Sequence, residues 1–158
     1  MAARMLTLRQ PASDADWTTA RALIERYAQL LAVDLSFQDF AKELDALPYE
    51  YGPPTGAFFL AFERDSPVGC VGLRRVSATV AEIKRLFTVP EYRGFGVGRQ
   101  LAERIIQAGR TLGYSRLLLD TLPTMTEAQD LYESLGFRHT EPYRFNPIAG
   151  TVFLALDL

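Results

Sequence analysis

The chain has 158 residues, 48% hydrophobic and 23% charged, with a formal net charge of -2. That size suits one domain with a core of its own, and the charge balance excludes the basic stripe of a dedicated nucleic-acid binder. With Cys70 the single cysteine, an intrachain disulfide and a multi-cysteine zinc site are excluded. Residues 1–10 lack the apolar core of a secretory leader, and no apolar run approaches the roughly 20 residues of a membrane helix. The expectation is one domain over residues 1–158, cytoplasmic, without a metal, and with neither nucleic acid nor a membrane as partner.

Residues 5–9 read as a strand stopped by Pro11. Ser13 is placed to cap a helix over residues 14–32, where Trp17, Ala20, Leu23, Tyr27, Leu30 and Leu31 recur at helical spacing. Ser36 is placed to cap a second helix through Leu47, with Phe37, Phe40, Leu44 and Leu47 on one face. Residues 48–56, rich in Pro and Gly, predict a loop carrying Tyr49 and Tyr51. Strands are expected at residues 57–63, 68–76 and 81–88, the first two joined by the turn Asp65-Ser66-Pro67 and the third stopped by Pro90. A helix over residues 96–113 carries Val97, Leu101, Ile105, Ile106 and Leu112, and Gly113 stands where a C-terminal glycine cap belongs. Leu117-Leu118-Leu119 centres a strand at residues 116–121, and a helix over residues 125–135 ends at Gly136. Strands at residues 137–140 and 150–158 flank a loop. The strand–helix–strand unit around Arg93 implies a parallel pair with a right-handed crossover. The strands before it favour antiparallel pairing. The expected class is α+β: a mixed, mainly antiparallel sheet of about seven strands with flanking helices.

The turn Arg93-Gly94-Phe95-Gly96-Val97-Gly98 lies between a strand and a long helix. A helix N-terminus offers free N–H groups and partial positive charge to a phosphate, and glycines let the ligand come close. Arg93 and Arg99 add cations. No Gly-Lys-Ser or Gly-Lys-Thr occurs, so a Walker loop is excluded. A dinucleotide fingerprint fails on glycine spacing, although Asp120 lies near the distance expected of a ribose-binding acid. Glu82, Lys84 and Arg85 in the preceding strand also argue against that fold, whose strands are buried on both faces.

The segment from Leu86 to Gly98 resembles the acetyl-CoA motif of the GNAT superfamily of N-acetyltransferases, with Arg93, Gly96 and Gly98 filling its fixed positions. Ala128-Gln129-Asp130-Leu131-Tyr132-Glu133-Ser134-Leu135-Gly136-Phe137 resembles the family's second motif, a helix carrying a Tyr and ending in Gly-Phe. The resemblance implies a GNAT-like fold and acetyl-CoA as cosubstrate. It implies that the backbone of Leu86, Phe87 and Thr88 pairs with the pantetheine arm. Gly94, Phe95, Gly96, Val97, Gly98 and Arg99 would hold the pyrophosphate, and Tyr132 would lie near the sulfur. Many relatives carry Asn where this chain has Met125; Thr124 or Thr126, with Glu127 or Gln129, would instead cap that helix as a capping box.

The implied reaction is direct transfer of acetyl to a primary amine of a small molecule or protein. A lysine-like amine with a pKa near 10.4 is almost wholly protonated at pH 7, so a base helps. Glu82 is the candidate base, directly or through water; the plain alternative is a surface pair with Lys84 or Arg74. Strand alternation places Glu82, Lys84, Leu86 and Thr88 on one face. Tyr132 is the candidate acid for the leaving thiolate, and a core tyrosine is its plain alternative. An N–H of Phe87 or Thr88 would meet the oxyanion. His139 reads as structural or surface, and Cys70 as a small buried hydrophobe. Arg74, Arg75, Lys84 and Arg85 read as solvated strand charge, or as a site for an acidic substrate group or a CoA phosphate. Tyr49, Tyr51, Tyr143 and Phe145 make the expected acceptor loops aromatic, suited to a hydrophobic amine or to a homodimer contact. Two rival readings are a non-catalytic acyl-CoA-binding module and a dinucleotide reductase.

Overall fold

A computed structural model describes residues 5–31, 34–35 and 39–158. Chain order is β1 (Leu6–Arg9), α1 (Asp14–Leu31), α2 (Phe40–Asp45), α3 (Leu47–Tyr51), β2 (Ala57–Glu63), β3 (Ser66–Arg75), β4 (Val80–Thr88), α4 (Val97–Thr111), β5 (Arg116–Thr121), α5 (Thr126–Ser134), β6 (Arg138–His139) and β7 (Val152–Asp157). The strands form one sheet of 7 in the order β1-β2-β3-β4-β5-β7-β6. Its β4–β5 pair is parallel and its other pairs are antiparallel. The expected mixed sheet with one parallel crossover is therefore the observed one. Among the described residues no helix is long and apolar enough to cross a membrane.

The sheet is covered on both sides. A Cβ on Gly69 of β3 would meet Leu101 and Val97 of α4, whereas one on Gly72 would meet the Tyr51 ring of α3. Alternation along β3 thus directs Gly69, Val71 and Leu73 to α4, and Cys70, Gly72 and Arg74 to the α1–α3 side. Helix α1 starts as expected, with Ser13 Oγ accepting from the Asp16 N–H at 3.2 Å, and it buries Ala20, Leu23 and Ile24. Helix α4 buries Leu101, Ala102, Ile105 and Ile106.

Three expectations need correction. The single helix ending at Leu47 is two short ones. Ala46 leaves the helical region at φ -133°, and Pro48 begins a new turn inside the expected loop. Proline is well suited to a first helical turn, where its missing N–H costs nothing. The Ser36 cap and Phe37 lie outside the described residues. Helix α5 has no side-chain cap, so neither Thr124 nor Thr126 acts as one; Gln129 Nε2 instead donates to the Leu122 carbonyl at 2.9 Å.

The third correction concerns β4. Between the pairs Gly72↔Lys84 and Cys70↔Phe87, two β4 residues oppose one β3 residue. Arg85 in this bulge has φ 62°, a left-handed conformation that disfavours any side chain with a Cβ. The extra residue inverts the alternation beyond it. Phe87 packs on Tyr27 of α1, with ring centroids 5.6 Å apart, whereas Thr88 sits beside Gly98 of α4. Glu82 therefore shares a face with Phe87, not with Thr88.

Candidate functional site

β4 and β5 pair only over Val80–Glu82 and Arg116–Leu118. Beyond this, β4 stays with β3 through Thr88, and β5 stays with β7 through Thr121. Bulges bend and twist a strand, and the bulge at Arg85 lies at this divergence. The result is a wedge between the C-terminal ends of two parallel strands, where open α/β sheets place ligands.

An outer groove of ≈ 560 Å³ fills the mouth of the wedge. Leu86, Phe87, Thr88, Arg93, Gly94, Gly96, Val97, Gly98 and Arg99 line it, with Tyr27, Leu30 and Leu31 of α1 and residues 124–128 opposite. These include every predicted cofactor-binding residue but Phe95, whose ring is 43% exposed at the tip of the turn. Gly94 and Gly96 have φ 85° and 82°, which only glycine adopts without strain. The first helical bond of α4 runs from the Gln100 N–H to the Gly96 carbonyl at 3.1 Å. The N–H groups of Val97, Gly98 and Arg99 thus precede the helical ladder and are available to an anion. A Cβ on Gly94 or Gly96 would meet nothing within 4 Å, so the space over both is open. Arg93 Nε donates to the Thr88 carbonyl at 3.4 Å, and Arg99 donates to Ser134 Oγ at 2.8 Å, tying α4 to α5.

An inner cavity of ≈ 60 Å³ continues the groove and shares Tyr27, Leu31, Leu86, Met125 and Ala128 with it. Its wall adds Lys84, Arg85, Asp120, Thr121, Tyr132 and Asn146. Tyr132 is buried edge-on against Phe137, with centroids 5.3 Å apart. Burial pushes its phenol pKa up, so the proton is held firmly. Burial pushes the Lys84 ammonium down, against the pull of Glu82, to about 7. Sequence reading missed Asp120 as a cavity group. The signal was present: a carboxylate directly after Leu117-Leu118-Leu119, at the C-terminal end of a parallel strand.

Behind the cavity lies a buried charge network that composition did not foretell. Glu43 accepts from Arg85 Nε and Nη2, both at 2.9 Å, and from the Tyr51 hydroxyl at 3.0 Å. Burial pushes the Glu43 carboxyl up, but the Arg85 bonds outweigh it and hold the pKa below the usual range. Glu82 is fully buried and lines neither cavity. It accepts from Arg74 Nε at 3.1 Å, from the Tyr143 hydroxyl at 2.6 Å and from Arg144 Nη2. The Arg74 pair exists, but in the interior. Arg74, Lys84 and Arg85 are likewise not solvated charge; Lys84 and Arg85 are 5% and 6% exposed, and Arg75 alone of that set stays in solvent. Strand β4 is thus buried on both faces in spite of its charges, which removes that argument against a dinucleotide fold. Tyr51 is fully buried and is not an acceptor-loop aromatic, whereas Tyr49 and Phe145 are exposed. Cys70 is buried, and His139 is exposed near Glu133.

The model of the Acetyltransferase (GNAT) family matches residues 20–137. An uncharacterized N-acetyltransferase of Schizosaccharomyces pombe is 40% identical over 87% of this chain and 86% of its own length. The N-acetylaspartate synthetase of Danio rerio is 34% identical over 75% of this chain, which spans 44% of that protein. Among solved structures, an acetyltransferase from Streptococcus agalactiae superposes with TM-score 0.80 at 24% identity, covering 97% of this chain and 98% of that one. An acetyltransferase from Salmonella typhimurium, solved with acetyl-CoA as its cofactor, superposes with TM-score 0.69 at 20% identity, covering 96% and 93%.

Proposed function

Because the chain belongs to the Acetyltransferase (GNAT) family, we propose that it transfers an acetyl group from acetyl-CoA to a primary amine of a small molecule or protein by direct attack. One observation carries this reading: the glycine turn opens into a groove that narrows to a cavity walled by Tyr132. One sheet takes its strands from residue 6 to residue 157, which supports a single domain over residues 1–158.

In this proposal the N–H groups of Val97, Gly98 and Arg99 hold the pyrophosphate, with Arg93 beside them. The open edge of β4 at Leu86, Phe87 and Thr88 pairs with the pantetheine arm and turns the thioester toward Tyr132. A main-chain N–H of Phe87 or Thr88 meets the carbonyl oxygen as negative charge gathers there. Tyr132 donates a hydrogen bond to the departing sulfur and passes its proton on only as it takes one up from the acceptor nitrogen. Glu82 draws the acceptor's proton through water, since Arg74, Tyr143 and Arg144 enclose the carboxylate itself. The name of the Danio rerio relative states an acceptor, aspartate, so L-amino acids are the first amines to try.

Release of free thiol from acetyl-CoA across an amine panel tests the proposal, beside thermal stabilisation by CoA. Stabilisation without turnover of any amine would favour the binding module; stabilisation by NAD or NADP instead would favour the reductase. Tyr132→Phe is expected to lower kcat about 100-fold, as loss of a general acid does, with the CoA-induced melting shift retained. Equal loss of both would make Tyr132 a packing residue.

A further inference from the structure

We propose that the inner cavity is the site of the acceptor's ammonium group, and that Asp120 is the carboxylate that holds it and takes its proton. The inference rests on the transferase reading above and replaces the relayed role given there to Glu82. Asp120 follows Leu118, the last β5 residue paired with β4, by two positions, so β4 no longer lies beside it, while β7 still pairs with it through Phe153. It lines the cavity that Tyr132 also lines, and Glu82 does not. The oxygens of Glu82 are taken by two guanidinium groups and a phenol, which enclose it away from an acceptor.

Among the described residues that line the cavity, Asp120 is the one carboxylate. Asn146 Nδ2 donates to Asp120 Oδ2 at a long 3.3 Å, while the Ile148 N–H donates to Asn146 Oδ1 at 2.9 Å. The second bond fixes the amide, so its NH2 faces Asp120. The ≈ 60 Å³ of the cavity suits an ammonium and its first carbons, given roughly 30 Å³ per water in the liquid. The rest of the acceptor would extend into the groove. Ionisable groups facing this point are Lys84 and Arg85 from β4, Tyr27 from α1, Tyr132 from α5 and Tyr143 from the loop before β7. Glu43 already neutralises Arg85, and the low pKa of Lys84 weakens its hold on Asp120.

The nitrogen sheds two protons. The first passes to Asp120 and frees the lone pair, which forms the C–N bond as the C–S bond breaks. The second reaches the departing sulfur by way of Tyr132. Asp120 returns its proton to solvent, so each turnover gives an amide, a free thiol and one proton.

The test compares wild type with Asp120→Asn, Asp120→Glu and Glu82→Gln in thiol release from acetyl-CoA. L-aspartate, other L-amino acids and simple alkylamines are the acceptors, from pH 6.5 to 9.5, with the CoA-induced melting shift as a control. Asp120→Asn should lose about 100-fold or more in kcat/KM at pH 7. The deficit should narrow about tenfold per pH unit, because the neutral amine increases by that factor. Asp120→Glu should keep the wild-type profile shape, and all variants should keep the CoA shift. A deficit of Asp120→Asn that is small or constant with pH, or a narrowing deficit found in Glu82→Gln instead, would overturn the assignment. Wild type that binds CoA and turns over no amine would overturn the transferase reading and take this inference with it.

Discussion

The two ends of the wedge are built from different materials. At the mouth, the glycine turn offers main-chain N–H groups and open space over Gly94 and Gly96, presented by one short segment. At the inner end they are side chains from β4, β5, α5 and the loop before β7, backed by Glu43, Arg74, Glu82, Arg85 and Arg144. A phosphate cradle is a local conformation and depends little on the rest of the fold. The inner end exists only when the fold is complete, and its buried charges make it sensitive to any unmatched group.

That contrast predicts its largest effect at the inner end. Glu43→Ala would leave the Arg85 guanidinium buried beside Phe40 with no carboxylate. Breaking a buried pair in this way costs about 3–5 kcal/mol, measurable by urea denaturation. A loss below about 1 kcal/mol, the range of exposed pairs, would mean that water reaches Arg85. The Glu43 pKa is depressed, so its contribution is full above the ordinary carboxylate value and is lost as pH falls through the folded-state pKa. Wild type should therefore lose stability in acid more steeply than Glu43→Gln.

Lys84 gives a smaller effect of opposite sign. Its pKa falls from 10.5 unfolded to about 7 folded, so between those values the unfolded chain binds more protons. Stability from this group rises with pH across that window and is lowest near and below pH 7. Lys84→Met removes the penalty. It should melt above wild type at pH 7, and the gap should close toward pH 10. A gap independent of pH would show that Lys84 is charged in the folded state.

The same contrast explains what the sequence disclosed. Arg93, Gly96 and Gly98 lie within one turn, and strand–turn–helix context interprets them without long-range information. The parallel crossover followed from connectivity. The inner end joins residues 42 and 62 positions apart, and charges in β4 read as solvated because nothing local reveals their partners. The bulge at Arg85 was invisible to period-two counting, since a left-handed Arg has no sequence signature. It alone separates the face of Glu82 from that of Thr88. Asp120 was noticed for its distance from the glycine turn, but its place in the wedge depends on where β4 and β5 part.

The smallest predicted effect separates the cradle from the fold most cleanly. Gly94 and Gly96 are glycines for their positive φ. Gly98 is not so constrained: it lies inside α4, and a Cβ there would make ordinary contacts with Thr88 Oγ1 at 3.6 Å and Leu131 Cδ2 at 3.8 Å. Gly98 stands in the first turn of α4, where alanine gains part of the roughly 1 kcal/mol it holds over glycine in a helix interior, so folding alone slightly favours alanine at this position. Gly98→Ala should therefore hold or slightly raise the melting temperature of the free protein and reduce the further rise that CoA produces. The added methyl occupies the approach that a phosphate oxygen needs to reach the Val97, Gly98 and Arg99 N–H groups. A variant that gained stability and kept the full CoA shift would move the pyrophosphate off the start of α4, toward Arg93 and the turn before it.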